Sequence, residues 1–197
     1  MGLILGSAST ARAKMLRSAG VSFETEAADI DEAAIKQEHR GMGSDALTCA
    51  AAVAEAKARA IAPRHPESLV IGADQILVAG DEWFDKPPDR DTARAQLRRL
   101  RGRKHVLATA ACVIRGEECL WRMTASPALT MRCFGEGFLG GYIHAEGTAV
   151  LGCVGAYRLE GRGVQLFAKI EGDYFAILGL PLLPLLDFLR ERGLLET

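Results

Sequence analysis

The chain has 197 residues, of which 49% are hydrophobic and 25% charged, a balance that is typical of a globular protein and excludes a disordered one. Twenty-four basic and 25 acidic side chains give a net charge of −1, so no global field attracts nucleic acid or an acidic membrane. Five cysteines without a CxxC pair, and an N-terminal apolar run too short for a signal peptide or a membrane span, predict a cytoplasmic protein with reduced thiols.

Strand and helix patterns alternate along the chain, which predicts the α/β class. The predicted strands cover residues 3–5, 68–79, 106–114 and 163–170, with 118–132 as an extended partner of the third. The predicted helices cover residues 10–20, 47–62, 92–100, 136–144 and 182–192. We expect the strand over 68–79 to be interrupted at Asp74 and Gln75. No linker divides the chain, so we predict one domain over residues 1–197.

The turn after the first strand carries Ser7, Ser9 and Arg12. A helix N-terminus presents unpaired N–H groups and a partial positive charge, so this turn can hold phosphate, with the Arg12 guanidinium adding donors. The competing interpretation is that Ser9 or Thr10 only caps the helix. The turn alone favours the cap.

Three carboxylates follow within four residues, at Asp29, Asp31 and Glu32. Closely spaced carboxylates suit a hard cation such as Mg²⁺, which prefers oxygen ligands. They are also typical of a helix N-terminus, where negative side chains compensate the helix dipole. Both interpretations stay open, and the second is favoured here.

Asp74 is the most informative residue because it lies inside an otherwise apolar strand. A buried aspartate is costly unless it is paired or binds a metal, and α/β enzymes place catalytic groups at strand ends. The alternative is a turn at Asp74 between two short strands.

Other charged segments are weaker signals. Asp85-Lys86-Pro87-Pro88 is a rigid turn that presents a lysine, and Glu55 and Lys57 are most simply an exposed helix face. The basic run over 98–104 is interpreted as a solvated face rather than a nucleic-acid site. The apolar stretch from Leu178 to Leu189 fits either core or a homodimer interface.

Seven stretches, taken in order, resemble the Maf family of nucleotide pyrophosphatases and span nearly the whole chain. They read LILGSASTAR, DIDEAAI, AEAKARAI, VIGADQILV, DKPPDRDTARAQLRRLRG, GAYRLEGRGVQLF and IEGDYFAILGLPLLPLL. The resemblance implies an α/β fold with an elongated mixed β-sheet, flanking helices and two lobes around a deep cleft. It also implies phosphate contacts from Ser7, Ser9 and Arg12, with the cleft lined by Glu32, Lys57, Asp74, Gln75 and Lys86.

Within the family, the chain is most similar to the branch that acts on 7-methyl-GTP. Gln75 follows the aspartate where the dTTP/UTP branch usually has threonine, and the GCVGAYRLEG segment around Cys153 agrees. The family turn usually reads Ser-x-Ser-Pro-Arg-Arg, whereas this chain has Thr10 and Ala11 in place of the proline and the first arginine. Loss of that guanidinium predicts weaker substrate binding, unless Lys14 or Arg17 compensates.

The resulting hypothesis is a metal-dependent hydrolase that cuts a nucleoside triphosphate into a monophosphate and pyrophosphate. Asp74 and Glu32 are expected to bind Mg²⁺ or Mn²⁺ and to activate water, while Lys57, Lys86 and Arg12 stabilise phosphoryl charge. Gln75 is the candidate for base recognition. Two alternatives remain: a dTTP/UTP pyrophosphatase, and a weakly catalytic nucleotide-binding regulator of cell division linked to septum formation.

Overall fold

The computed structural model describes residues 2–196, and within them the chain forms eight strands and seven α-helices. The strands are β1 Leu3–Gly6, β2 Glu24–Thr25, β3 Leu69–Ala79, β4 Glu82–Phe84, β5 Lys104–Arg115, β6 Glu118–Ala125, β7 Ala128–Met131 and β8 Phe167–Glu171. The helices are α1 Thr10–Ser18, α2 Glu32–Gly41, α3 Ala46–Ile61, α4 Arg90–Leu100, α5 Glu136–Glu146, α6 Tyr174–Ile177 and α7 Leu182–Glu191. Short 3₁₀ helices cover Ala62–Arg64, Gly147–Gly152, Val154–Ala156 and Arg162–Leu166.

The strands form one mixed sheet, which confirms the predicted α/β class. Their order is β2-β1-β3-β5-β7-β8, with β4 paired to β3 and β6 paired to β5. The first three strands are parallel, whereas β3 is antiparallel to β4, β5 is antiparallel to β6 and β7, and β7 is antiparallel to β8. Among the described residues, no helix has the length and apolar character needed to cross a membrane.

The chain divides into two compact units. Unit 1 contains the described residues up to Gln75, then Thr109–Ala125, and the described residues from Asp173 onward; unit 2 contains Ile76–Ala108 and Ser126–Gly172. Strands β3 and β5 each contribute residues to both units. The prediction of one domain over residues 1–197 stays a prediction.

Unit 1 buries apolar side chains on both faces of its strands. Leu5 and Ile71 belong to the cluster that includes residues of α1 and α7, whereas Ile4 and Val70 belong to the cluster that includes Ile61 of α3. Successive side chains of a strand point to opposite faces, which explains why neighbouring residues join different clusters.

Two glycines bring α3 close to the sheet in unit 1. Gly6 of β1 and Gly72 of β3 are register partners in the parallel pair. A Cβ added at Gly72 would overlap the carbonyl oxygen of Ala54, and one added at Gly6 would lie 3.0 Å from Ile61 Cδ1. Because glycine has no side chain, the backbone of α3 approaches these strands directly.

Three expectations about the strands are corrected. The interruption expected at Asp74 and Gln75 is wrong, and so is the turn proposed there, because β3 runs unbroken from Leu69 to Ala79. The extended segment over 118–132 is divided into β6 and β7, which both pair with β5. The strand predicted over 163–170 begins only at Phe167, because the 3₁₀ helix Arg162–Leu166 precedes it.

In unit 2, His105 of β5 is a buried polar residue, and its burial predicts that the stability of the protein depends on pH. Its Nε2 lies 3.0 Å from the Tyr157 hydroxyl, and its ring also lies beside Phe167. Burial lowers the pKa of His105 from 6.5 to about 4.

Between about pH 4 and about pH 6.5, His105 is therefore mostly neutral in the folded protein and mostly protonated in the unfolded chain. The free energy of unfolding therefore has its full value above about pH 6.5 and decreases as the pH drops toward about 4. At about pH 5 the decrease is about 2 kcal/mol. His105→Gln does not titrate, so its free energy of unfolding in urea should decrease less between about pH 7.5 and about pH 5. Parallel pH profiles for the two proteins would contradict a neutral buried His105.

Candidate active site

Asp74 lies on β3 with its carboxylate held by a lysine of α3. Asp74 lies two and four residues after Gly72 and Val70 in the same strand, so its side chain points to the same face as theirs, the face that packs against α3. The side chain of Asp74 is 7% exposed, and its Oδ1 accepts a hydrogen bond from Lys57 Nζ at 2.7 Å. The cost of burying the aspartate is thus offset by an opposite charge.

Lys57 bridges two carboxylates. Its ammonium nitrogen also lies 3.0 Å from Glu32 Oε1, on a side chain that is 44% exposed. Glu32 is the first residue of α2, and Asp31 caps that helix by accepting a hydrogen bond from the Ala34 N–H at 2.9 Å. Of the predicted acidic cluster, Asp31 therefore serves the helix end, whereas Glu32 joins Lys57 and Asp74.

The second oxygen of Asp74 is buried and has no hydrogen-bond partner among residues 2–196. A buried carboxylate oxygen normally has a partner, and an unmatched one at such a position fits a water molecule or a cation. The described residues contain no group of three or more His, Cys, Asp or Glu side chains arranged to hold a metal. Asp74 and Glu32 nevertheless fit the pattern of Mg²⁺, which is often bound by one or two carboxylates together with substrate phosphates.

The turn before α1 combines a helix cap with a buried arginine. Ser9 is the N-cap of α1 and accepts a hydrogen bond from the Arg12 N–H at 3.4 Å. The Arg12 guanidinium donates from Nε to the Gly179 carbonyl at 2.7 Å and from Nη1 to Ser7 Oγ at 3.1 Å. Both the cap and the converging polar groups are thus present in the same turn.

Arg12 brings a positive charge close to the two carboxylates. Arg12 is 8% exposed. Burial lowers the pKa of its guanidinium, and the negative charges of Asp74 and Glu32 oppose that shift. Arginine remains charged in proteins, so the helix N-terminus and this guanidinium together favour an anion.

Gln75 contacts protein groups on the opposite face of β3 from Asp74. As the next residue of the strand, Gln75 points away from the face of Asp74. Its Nε2 lies 2.8 Å from Thr109 Oγ1 and 2.9 Å from the Ala176 carbonyl. A nucleotide base would therefore compete with protein acceptors for the Gln75 N–H groups. Lys86 is exposed in unit 2, between β4 and α4, and its predicted role stays a prediction.

The sequence model of the family described as Maf-like protein matches residues 2–192, which is nearly the full chain. The chain belongs to the Maf family. The resemblance predicted from the seven stretches is thus confirmed.

Relatives of this Maf chain have been given two kinds of name. "Nucleoside triphosphate pyrophosphatase" of Granulibacter bethesdensis is 52% identical over 197 residues and covers 100% of both chains. The protein of the same name from Rhodospirillum rubrum is 49% identical over 193 residues, covering 98% of this chain and 96% of its own. "7-methyl-GTP pyrophosphatase" of Rhizobium meliloti is 45% identical over 195 residues, covering 99% and 98%.

Two residues of the Maf chain were missed by reasoning from the sequence alone. Gly179 accepts from Arg12, and Thr109 is a buried hydroxyl that donates to the Ala176 carbonyl at 3.0 Å. Gly179 follows a short helical segment and precedes Pro181, which is a signal for a helix C-terminus. Thr109 lies within an apolar strand and carries no comparable signal.

Proposed function

We propose that this chain hydrolyses nucleoside triphosphates to a nucleoside monophosphate and pyrophosphate, with 7-methyl-GTP or another modified nucleotide as its substrate. The observation that carries the proposal is the Asp74 carboxylate, which is held through one oxygen by Lys57 and has an unmatched second oxygen. Membership of the Maf family and the names of the relatives support this reaction class.

The triphosphate would bind at the N-terminus of α1. Backbone N–H groups there point toward an anion, and the hydroxyls of Ser7 and Ser9 together with the Arg12 guanidinium supply further donors. Arg12 is already oriented by two hydrogen bonds, so binding orders fewer side-chain rotamers. The positively charged Lys86 is proposed as a further phosphate ligand.

The bond that breaks is the anhydride between the α- and β-phosphates. A water oxygen attacks the α-phosphorus, the bridging oxygen leaves with pyrophosphate, and Asp74 Oδ2 accepts the proton of the water. Lys57 fixes the carboxylate through Oδ1, so Oδ2 is the oxygen positioned to accept that proton. The Lys57 ammonium also opposes the negative charge that spreads over the phosphoryl oxygens.

A divalent metal, Mg²⁺ or Mn²⁺, is proposed as the cofactor. The carboxylates of Asp74 and Glu32 would hold it together with substrate phosphates. When bound, it supplies Lewis acidity and neutralises phosphate charge.

The test is pyrophosphate release with Mg²⁺ or Mn²⁺ from 7-methyl-GTP, GTP, UTP, CTP and dTTP. We expect release to require the metal and to be fastest with 7-methyl-GTP, and product analysis should find the nucleoside monophosphate. Preference for dTTP and UTP would contradict the proposed substrate but keep the reaction class. If folded protein binds nucleotide but releases no pyrophosphate from any substrate, the proposed enzymatic activity is contradicted. The replacement of the family arginine by Ala11 would then be the explanation to test.

A further inference from the structure

The connection between β8 and α7 contains α6, a single helical turn that begins at an aspartate cap. Asp173 is the N-cap of α6, and its Oδ1 accepts a hydrogen bond from the Ala176 N–H at 2.7 Å. With only four residues, α6 is far shorter than the length at which a helix is stable in water by itself. The cap is therefore a large part of what keeps this turn formed.

The end of the same turn fixes the direction of one carbonyl. The Gly179 N–H donates to the Ala176 carbonyl at 3.0 Å, and the Leu180 N–H donates to the Phe175 carbonyl at 3.1 Å. This pair of bonds is the Schellman motif, and Gly179 occupies its C′ position with a φ of 101°. The carbonyl of Gly179 is thus held by the geometry of the turn that Asp173 begins.

The Gly179 carbonyl contacts the guanidinium of Arg12. It accepts from Arg12 Nε at 2.7 Å, and a Cβ added at Gly179 would lie 3.2 Å from that nitrogen. Arg12 Nη1 also donates to Ser7 Oγ at 3.1 Å. These bonds use two of the five N–H donors of a guanidinium and fix its plane, and the remaining donors can bind an anion.

The two ends of α6 are anchored in different ways. Leu180 is fully buried in the core cluster that includes Ala13 and Leu16 of α1, the helix that carries Arg12. Asp173 is exposed, and so is the next residue, Tyr174, at 47%. Burial therefore holds the end of the turn, whereas its start depends on the hydrogen bond of the Asp173 cap.

We infer that Asp173 is a positioning residue: by capping α6 it holds the Gly179 carbonyl, which orients the Arg12 guanidinium toward phosphate. The inference rests on the proposed function for the identity of the phosphate ligand. Asp173 carries a negative charge, so its direct electrostatic effect on an anion is repulsive. A favourable effect of Asp173 on anion binding must therefore come from the geometry of the turn.

Inorganic tripolyphosphate is the probe for this role. With Mg²⁺ present, isothermal titration should give about fivefold weaker binding for Asp173→Ala, the factor that corresponds to loss of a typical N-cap, although the variant has one negative charge fewer. Asp173→Asn loses the same charge but keeps a capping oxygen, so it should bind at least as tightly as the unmodified chain.

Asp45→Ala is the matched control. Asp45 caps α3 by accepting from the Thr48 N–H, also at 2.7 Å, and its loss removes the same charge. Because α3 has sixteen residues, it should remain formed without its cap. The affinity of Asp45→Ala for tripolyphosphate should therefore stay within twofold of that of the unmodified chain.

Two further measurements test the route through Arg12. In an Arg12→Ala background, Asp173→Ala should change tripolyphosphate affinity less than twofold, because the group that it positions is gone. Without any ligand, the Arg12 Nε–H signal in a ¹⁵N–¹H NMR spectrum, assigned by its absence in Arg12→Lys, should exchange with solvent faster in Asp173→Ala. Asp45→Ala should leave that exchange rate unchanged.

Additive effects of the Asp173 and Arg12 changes would overturn the inference, and so would an equal loss of affinity in Asp45→Ala. Unchanged tripolyphosphate binding by Asp173→Ala, in a chain that releases pyrophosphate from nucleotides, would overturn the inference and leave the proposed function intact. An unmodified chain that does not bind tripolyphosphate would also overturn it. Coupled binding effects in a protein that hydrolyses no nucleotide would support the inference and overturn the proposed function instead.

Discussion

Replacing Asp74 by asparagine is expected to slow pyrophosphate release about 100- to 10,000-fold, the range for loss of a general base. The amide cannot accept the proton of the attacking water as a carboxylate does, and it removes one negative charge from the proposed metal ligands. The fold should survive, because Lys57 keeps Glu32 as an anionic partner at 3.0 Å. Initial rates of pyrophosphate release and urea unfolding measure the two effects separately.

Asp187→Asn is the matched control for this change. Asp187 is an exposed carboxylate of α7 that pairs with Arg190, three residues later in the same helix, so its loss should leave the rate close to that of the unmodified chain. Near-normal turnover by folded Asp74→Asn protein would rule out Asp74 as the base.

The local pattern of the sequence located Asp74 but not its partner, which only the family resemblance placed in the same cleft. An aspartate within an apolar strand requires a compensating group, and that requirement can be read without a structure. The charged pair Glu55 and Lys57, in contrast, predicts an exposed face of its own helix, whereas α3 buries Lys57 together with its alanines. Lys57 is buried at 7% exposure because Gly6 and Gly72 allow α3 to approach the strands.

The expected break in β3 was wrong for a related reason. Two adjacent polar residues are typical of a turn, but here each one has partners on its own face of the strand. Lys57 binds Asp74 on one face of β3. On the other face, Gln75 Nε2 donates hydrogen bonds to Thr109 and to a carbonyl of α6. Partners that come from distant parts of the chain cannot be recognised from local patterns.

The segment before β8 illustrates the same limit through backbone packing. Its composition predicts a strand, but a Cβ at Gly163 would overlap the backbone of Arg158, so the chain folds back on itself there. This local approach accompanies the 3₁₀ helix Arg162–Leu166 and delays the strand to Phe167. The predicted helices were more accurate because their periodicity and caps are local properties.

Gly72→Ala is expected to lower the free energy of unfolding by about 3 kcal/mol, the upper part of the range for overpacking. The added methyl group would overlap the Ala54 carbonyl oxygen and lie 3.0 Å from Ala58 Cβ, and both belong to α3. Relief requires α3 to move away from β3, which also separates Lys57 from Asp74. Urea unfolding and pyrophosphate release should therefore both be impaired.

A graded series of glycine changes in unit 1 tests this explanation. At Gly6 the nearest atom is the flexible end of Ile61, at 3.0 Å, so Gly6→Ala should cost less stability than Gly72→Ala. At Gly41, in the last position of α2, an added Cβ meets no heavy atom of the described chain within 4 Å, and alanine there should be neutral or slightly stabilising. Equal losses at Gly72 and Gly41 would mean that close approach of α3 is not what these glycines provide. If only Gly72→Ala also loses catalysis beyond its loss of folded protein, the distance between α3 and β3 determines the Lys57–Asp74 geometry.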